Sequence, residues 1–360
     1  MLKKIDNYEY TSLFILTYLS SSIGLSLYTT IKYASIDSYI GVLIGSIIGI
    51  IHLLIYLYIL NYKKEINIKD KINSLFGKIL GTIINYILAL LFLGVAITIV
   101  FNLSNFIVSQ YLSETNILYI MIILGITLFF TLNKEIETIS RISSIFLIIL
   151  IPIFLLAVFS VKKDIHLDNL KPILEFGLKG PIKAGLINSL LTTIPCFSLL
   201  TIPKNNITNK AKTSKYIIIG FIVASSILFF ISLVSSSILG AYLINIFQYP
   251  AYIALKKASL FRFIDRVENF FSIAWILSSF IAIITCLNYT KETITKKHNS
   301  ILNIILITII IYVSNKVFKS NTIFDEYILN YYPYILLSIL IIFILISIII
   351  LIKKCIKKEV

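Results

Sequence analysis

Ten stretches of the chain are long, apolar and nearly free of charge, while polar and charged residues crowd into the short segments between them. They run Thr11–Tyr33, Ser38–Tyr62, Ile79–Ile107, Ile117–Leu132, Ile142–Val161, Ala184–Ile202, Tyr216–Asn245, Asn269–Tyr289, Ile301–Val317 and Pro333–Ile352. A helix crosses a hydrocarbon core of about 30 Å with roughly 20 apolar residues, and each stretch is near that length. The pattern predicts an all-α integral membrane protein, one transmembrane domain over residues 1–360 with ten spanning helices. Uniform Ile/Leu runs such as "ILLSILIIFILISIIILI" have no polar face and read as lipid-facing bulk.

Two of the ten stretches are interrupted. The sixth, "LINSLLTTIPCFSLLTIP", places Pro195 among Thr192, Thr193, Cys196 and Ser198. Proline lacks an N–H and its ring crowds the carbonyl four residues back, so the helix bends or opens there. Backbone left unpaired in hydrocarbon costs several kcal/mol, and the neighbouring hydroxyls can bond the freed groups or a ligand. Pro152, in "LIIPIFLL", has no polar neighbour and reads as a bend alone. The first stretch crowds Ser20, Ser21, Ser22, Gly24 and Ser26 into its centre, where glycine weakens a helix by roughly 1 kcal/mol and serines offer hydroxyls. Close packing of small residues is the competing reading. The first and sixth stretches open two five-helix halves, about 8–161 and about 180–352. Odd-numbered halves insert with opposite topology, and matched interruptions in two such halves point to a transporter-type site near the midplane. Gly41, Gly45 and Gly49 form a small-residue row suited to helix packing, and His52, one turn on, reads as a structural histidine. His166 and His298 fall in loops.

The chain has 360 residues, 58% hydrophobic and 14% charged, with a mean hydropathy of +0.95. That composition excludes a soluble domain of useful size. The net charge of +15 comes from lysines scattered among short loops, a topology signal rather than a nucleic-acid surface. "PKNNITNKAKTSK" has four lysines and no acid, and with the tail "KKCIKKEV" it predicts cytoplasmic N- and C-termini. The loop from Val161 to Lys183 opposes this weakly, with five lysines and three acids. The N-terminus reads as an uncleaved first helix. Cys196, Cys286 and Cys355 are too dispersed for a disulfide framework or a metal site. No Asp, Glu, Lys or Arg lies centrally in any stretch. Proton coupling through a buried carboxylate is therefore disfavoured, while sodium held by carbonyls and hydroxyls stays open. No catalytic set or phosphate loop is present, so neither an enzyme nor a cofactor is expected.

Several further motifs lie mainly between residues 165 and 280. They are Asn169-Leu170-Lys171-Pro172 followed by Gly177 and Gly185, then Tyr249-Pro250, then Phe263-Ile264-Asp265-Arg266-Val267-Glu268 with Trp275; Gly77 and Gly81 in "NSLFGKILGTI" fit with them. Together they resemble the B subunit of GerA-type spore germinant receptors, the endospore germination permeases of the amino acid/polyamine/organocation superfamily. The resemblance implies a LeuT-like 5+5 inverted repeat with helices one and six broken around a small ligand. It also implies a germinant sensor in the spore inner membrane, working with an A subunit and a lipoprotein C subunit, for which amino acids are the usual germinants. In one respect the chain departs from the family: an aromatic followed by Gly-Glu is common just after the helix-six break, whereas Phe197 is followed by Ser198 and Leu199.

The expected binding residues are Ser21, Ser22, Ile23, Gly24 and Leu25, whose N–H groups would face a carboxylate, and Thr192, Thr193, Pro195, Cys196, Phe197 and Ser198. Carbonyls near Thr192 to Pro195 would face an ammonium, and Phe197 would sort side chains by size. Gly41, Gly45, Gly49, Pro250, Asp265, Arg266, Glu268 and Trp275 are expected to be structural, with Arg266 pairing Asp265 or a loop acid to clamp the outer loop. Two other readings stay open: a secondary amino-acid transporter coupled to sodium or protons, and a scaffold for the partner subunits that has lost ligand binding.

Overall fold

The computed structural model describes residues 4–257, 266–295 and 299–356, and among these residues every regular element is helical. Fourteen α-helices follow in order: α1 (Asn7–Leu19), α2 (Leu27–Ala34), α3 (Ser38–Asn61), α4 (Ile68–Phe76), α5 (Lys78–Tyr111), α6 (Ile117–Leu132), α7 (Ile136–Ser160), α8 (Lys179–Thr193), α9 (Thr213–Ile246), α10 (Pro250–Lys256), α11 (Val267–Ile294), α12 (Ser300–Val317), α13 (Asn321–Asn330) and α14 (Tyr332–Ile356). Among the described residues, eight helical stretches are long and apolar enough to cross a membrane. The first of them, Asn7–Asn61, covers the first two apolar stretches of the sequence, and Ile117–Leu132 is a shorter apolar helix. The protein is a multi-pass membrane protein. Its lipid-facing side chains are large and apolar: Ile47, Leu54, Ile79, Leu90, Phe130 and Phe159 are all exposed.

Local chemistry sets the ends of these helices. Asp6 caps α1, its carboxylate accepting from Tyr8 N while Glu9 accepts from Asp6 N, a reciprocal capping box. Asn67, Asn116, Asn299 and Ser320 cap α4, α6, α12 and α13 with a side-chain oxygen that accepts a first-turn N–H. On the face where the described chain begins and ends, lysines answer the opposite helix ends. Lys71 Nζ donates to the carbonyls of Ile59 (2.9 Å) and Leu60 (3.3 Å) at the end of α3. Lys69 reaches Thr293 O at 2.6 Å, Lys291 reaches Leu132 O at 3.2 Å and Lys353 reaches Leu75 O at 2.8 Å. The last carbonyls of a helix carry partial negative charge and no intrahelical partner, so a cation there is stabilising. Desolvation pushes the Lys71 ammonium down to about 8.

The helices pack in a paired fashion. α1 lies against α9 and α7, α8 lies against α3 and α14, α5 and α11 lie against each other, and α6 lies against α12. The α3–α8 contact is close: a Cβ on Gly41 would sit 2.8 Å from Ala184 Cβ, and one on Gly45 would sit 2.8 Å from Gly185 O. The small-residue row therefore brings α3 directly onto α8. Near its end α9 kinks at Gly240 (φ 66°), and Asn169 Nδ2 donates to Ser237 O at 2.8 Å, filling a carbonyl at the kink. The loop carrying Asn169 is tied again by Asp37, whose carboxylate accepts from Leu174 N at 3.1 Å.

Candidate functional site

The first apolar helix is broken between α1 and α2. Ser22–Ser26 forms a short π-helical turn, closed by Ser26 N donating to Ser21 O at 2.7 Å. Gly24 lies in the left-handed region (φ 75°), and a Cβ there would sit 2.6 Å from Asn102 Oδ1 and 2.7 Å from the Tyr249 ring. Only glycine fits both the dihedral and the space. Ser20, Ser21 and Ser22 are buried, and the break draws its partners from distant helices. Trp275 Nε1 of α11 donates to Ser20 O at 2.8 Å, and Ser279 Oγ lies 3.4 Å from the same oxygen. Ser26 Oγ donates to Asn188 Oδ1 of α8. On the side away from the termini, Phe106 packs edge-on against Trp275 (4.8 Å) and Tyr249 (4.9 Å), and Asn105 Nδ2 donates to Tyr249 OH at 2.9 Å. These aromatic rings roof the break.

The second break follows α8 directly. From Ile194 to Thr201 the chain tightens into a 3-10 helix with Pro195 in its first turn. Its polar side chains bond back to the same segment. Thr192 Oγ1 donates to Asn188 O (2.8 Å), Thr193 Oγ1 to Ser189 O (2.5 Å), Ser198 Oγ to Pro195 O (2.7 Å) and Thr201 Oγ1 to Ser198 O (3.0 Å). The Cys196 thiol lies 3.6 Å from Thr192 O and 3.7 Å from Phe14 O of α1. Below it, Tyr10 and Tyr56 share a 2.5 Å hydroxyl contact and Tyr10 OH reaches Leu199 O at 3.3 Å. Phe197 is buried, with its ring centroid 5.5 Å from that of Tyr56 and 4.7 Å from that of Phe343. A small void lies among Phe14, Leu53, Tyr56, Thr193, Phe197 and Phe221.

Sequence reasoning singled out both breaks, and the structure brings them together through Ser26–Asn188 and through Cys196 beside Phe14. The Ile23 side chain and Asp265 lie outside what the structure describes. Arg266 precedes α11 in a left-handed conformation (φ 69°), Glu268 is buried in the first turn of that helix, and Pro250 opens α10. His52 does more than fill space: its Nδ1 lies 2.8 Å from Thr193 Oγ1. Because Thr193 already donates to Ser189 O, its oxygen accepts here and Nδ1 carries the proton. Asn188 was missed because a lone asparagine in "LINSLL" carries no signal until its partner 162 residues away is known. Tyr18, whose ring meets Phe221 edge-on at 5.7 Å, was missed for the same reason.

Asn169, Tyr249 and Trp275, three of the motif residues, thus each hold an irregular point of the backbone in place: the α9 kink, the Gly24 roof and the Ser20 carbonyl. Residues 4–323 match the profile of a family described as spore germination protein. The chain belongs to the spore germination protein family. One member, "Spore germination protein XB" of Bacillus anthracis, is 24% identical over 292 residues, which cover 78% of this chain and 79% of that protein. The multi-pass fold and family membership make the chain a germination-related membrane protein of a permease-like family. Among the described residues named at the two breaks there is no Asp, Glu, Lys or Arg.

Proposed function

We propose that this spore germination protein is the germinant-sensing membrane subunit of a multi-subunit receptor, binding an amino acid between its two broken helices. The observation that carries the reading is the bond from the first break to α8, the helix that runs into the second break, Ser26 Oγ to Asn188 Oδ1. A ligand that changes either break is felt by the other. The helix pairing supports a ten-helix, LeuT-like 5+5 inverted repeat. Exchanging the two halves maps α1 on α9 to α8 on α3, α1 on α7 to α8 on α14, and α11 on α7 to α5 on α14, and all six contacts occur. On this reading the carboxylate lies toward Ser21, Ser22, Ile23, Gly24 and Leu25, and the ammonium toward Thr192, Thr193 and Pro195, with Cys196, Phe197 and Ser198 behind them. Half-helix ends favour these signs. Binding then favours one arrangement of the halves, which an A subunit and a lipoprotein C subunit read in the spore inner membrane, with both termini cytoplasmic.

A sodium- or proton-coupled amino-acid transporter is the competing reading. Against sodium at the first break stands the Ser20 carbonyl, already taken by the Trp275 indole and the Ser279 hydroxyl. Two measurements on the whole chain decide between them. Thermal unfolding in lipid nanodiscs against the twenty amino acids is expected to show a saturable rise for a subset. Labelled uptake into proteoliposomes holding this chain alone is expected to stay at background; saturable, gradient-driven uptake would replace the receptor with a transporter.

A further inference from the structure

One side of the first break is open. Between α7, α9 and α11 lies an apolar cleft, and a second one borders the same Phe154, Ile231 and Phe271 side chains. The inner end touches Leu19 and Ser22 of the broken helix and Trp275 and Ser278 of α11. The outer end runs under α10 along Ala251, Ala254 and Leu255. The room exists because small residues stand where large ones would fill it: Ala274 and Ser278 on α11, Ala157 on α7 and Ser22 in the break.

We infer that this cleft receives the side chain of the bound amino acid, and that the protein therefore selects germinants with branched aliphatic or aromatic side chains. The inference rests on the reading that an amino acid binds at the breaks, and it names the class. The walls are mostly apolar, so a charged or amide side chain would leave its hydrogen bonds unmade. The other flank of the break has no such room, since Asn102 and Tyr249 already crowd Gly24. Phe197, the residue expected to sort by size, is fixed between Tyr56 and Phe343 and borders only the smaller void. A lipid tail could enter the same cleft from the bilayer, but its inner end would abut the Ser22 and Ser278 hydroxyls. An amino acid with its polar end at the break places hydrocarbon against hydrocarbon and polar atoms against polar atoms.

The test is a side-chain ladder on the full chain in nanodiscs. Thermal midpoints are followed against glycine, L-alanine, L-leucine and L-phenylalanine, and half-saturating concentrations are compared. The wild-type chain is expected to need at least tenfold less leucine than alanine. Ala274→Leu, which fills the cleft, is expected to cut that preference at least tenfold while alanine still binds. Phe271→Ala, which widens it, is expected to improve phenylalanine relative to leucine, and decides the matter if the first variant does not fold. A wild-type chain that responds to amino acids with a ladder unmoved by either variant overturns the inference and leaves the receptor reading standing. The inference is likewise overturned if Ala274→Leu alters only the lipid that co-purifies. A wild-type chain that responds to no amino acid overturns the receptor reading, and this inference with it.

Discussion

The two interruptions solve the same problem in opposite ways. The second, at Pro195, is satisfied mainly by its own neighbourhood: Thr192, Thr193, Ser198 and Thr201 return their hydroxyls to carbonyls three or four residues back, and from α1 Tyr10 and the Phe14 carbonyl reach it. The first, at Gly24, is held from elsewhere, by Trp275 and Ser279 of α11, by Asn188 of α8 and by the Tyr249 ring. A locally satisfied break is a fixed kink. A break whose partners come from other helices registers any movement of those helices, and that is the property a sensor needs.

The contrast is sharpest at Gly24. Any side chain there meets Asn102 and Tyr249 and must hold a left-handed conformation, which alone costs roughly 1–2 kcal/mol. Gly24→Val is expected to destabilise the fold by about 3 kcal/mol or more, seen as loss of the monodisperse peak when membranes are solubilised. Trp275→Phe keeps the ring and deletes the indole donor to Ser20 O, a buried carbonyl; about 1–3 kcal/mol is expected from the thermal midpoint in nanodiscs. Pro195→Ala restores an N–H in a segment already satisfied, and a change of under about 1 kcal/mol is expected there. If Pro195→Ala proved as damaging as Trp275→Phe, the distinction between the two breaks would collapse.

The smallest expected effect concerns pH. Neither break has a charged side chain among its described contacts, so the gap in stability between Trp275→Phe and Pro195→Ala should hold steady from pH 6 to pH 9. Lys71 on the terminal face supplies the control. Burial holds its folded pKa at about 8, below the ordinary lysine value of 10.5, so the unfolded chain binds more protons between those values. The cost of burying the ammonium is full below pH 8 and falls away as pH rises toward 10.5. Measured as thermal midpoints, this alkaline gain should vanish in Lys71→Met while the gap between the two break variants is unchanged.

Much of this was readable from residues. Hydropathy located the ten apolar stretches, and each coincides with helix, because a spanning helix must be apolar along most of its length. Pro195 and the Ser-Gly cluster announced their breaks because proline and glycine act on the backbone locally. The short helices α4, α10 and α13 were not singled out, since each is too short to show a spanning pattern. The long-range partners around the breaks were invisible for a different reason. Trp275 lies 255 residues from Ser20, and His52 lies 141 from Thr193. Nothing in their own neighbourhoods marks them as partners until the helices are packed.

The central claim is that one amino acid is held between both breaks. Hydrogen–deuterium exchange of the chain in nanodiscs, with and without the most stabilising amino acid of the panel, tests it most directly. The account predicts slower exchange in peptides covering residues 20–26 and 194–201 together, with the larger change in 20–26. Protection confined to other segments, or to one break alone, would contradict it.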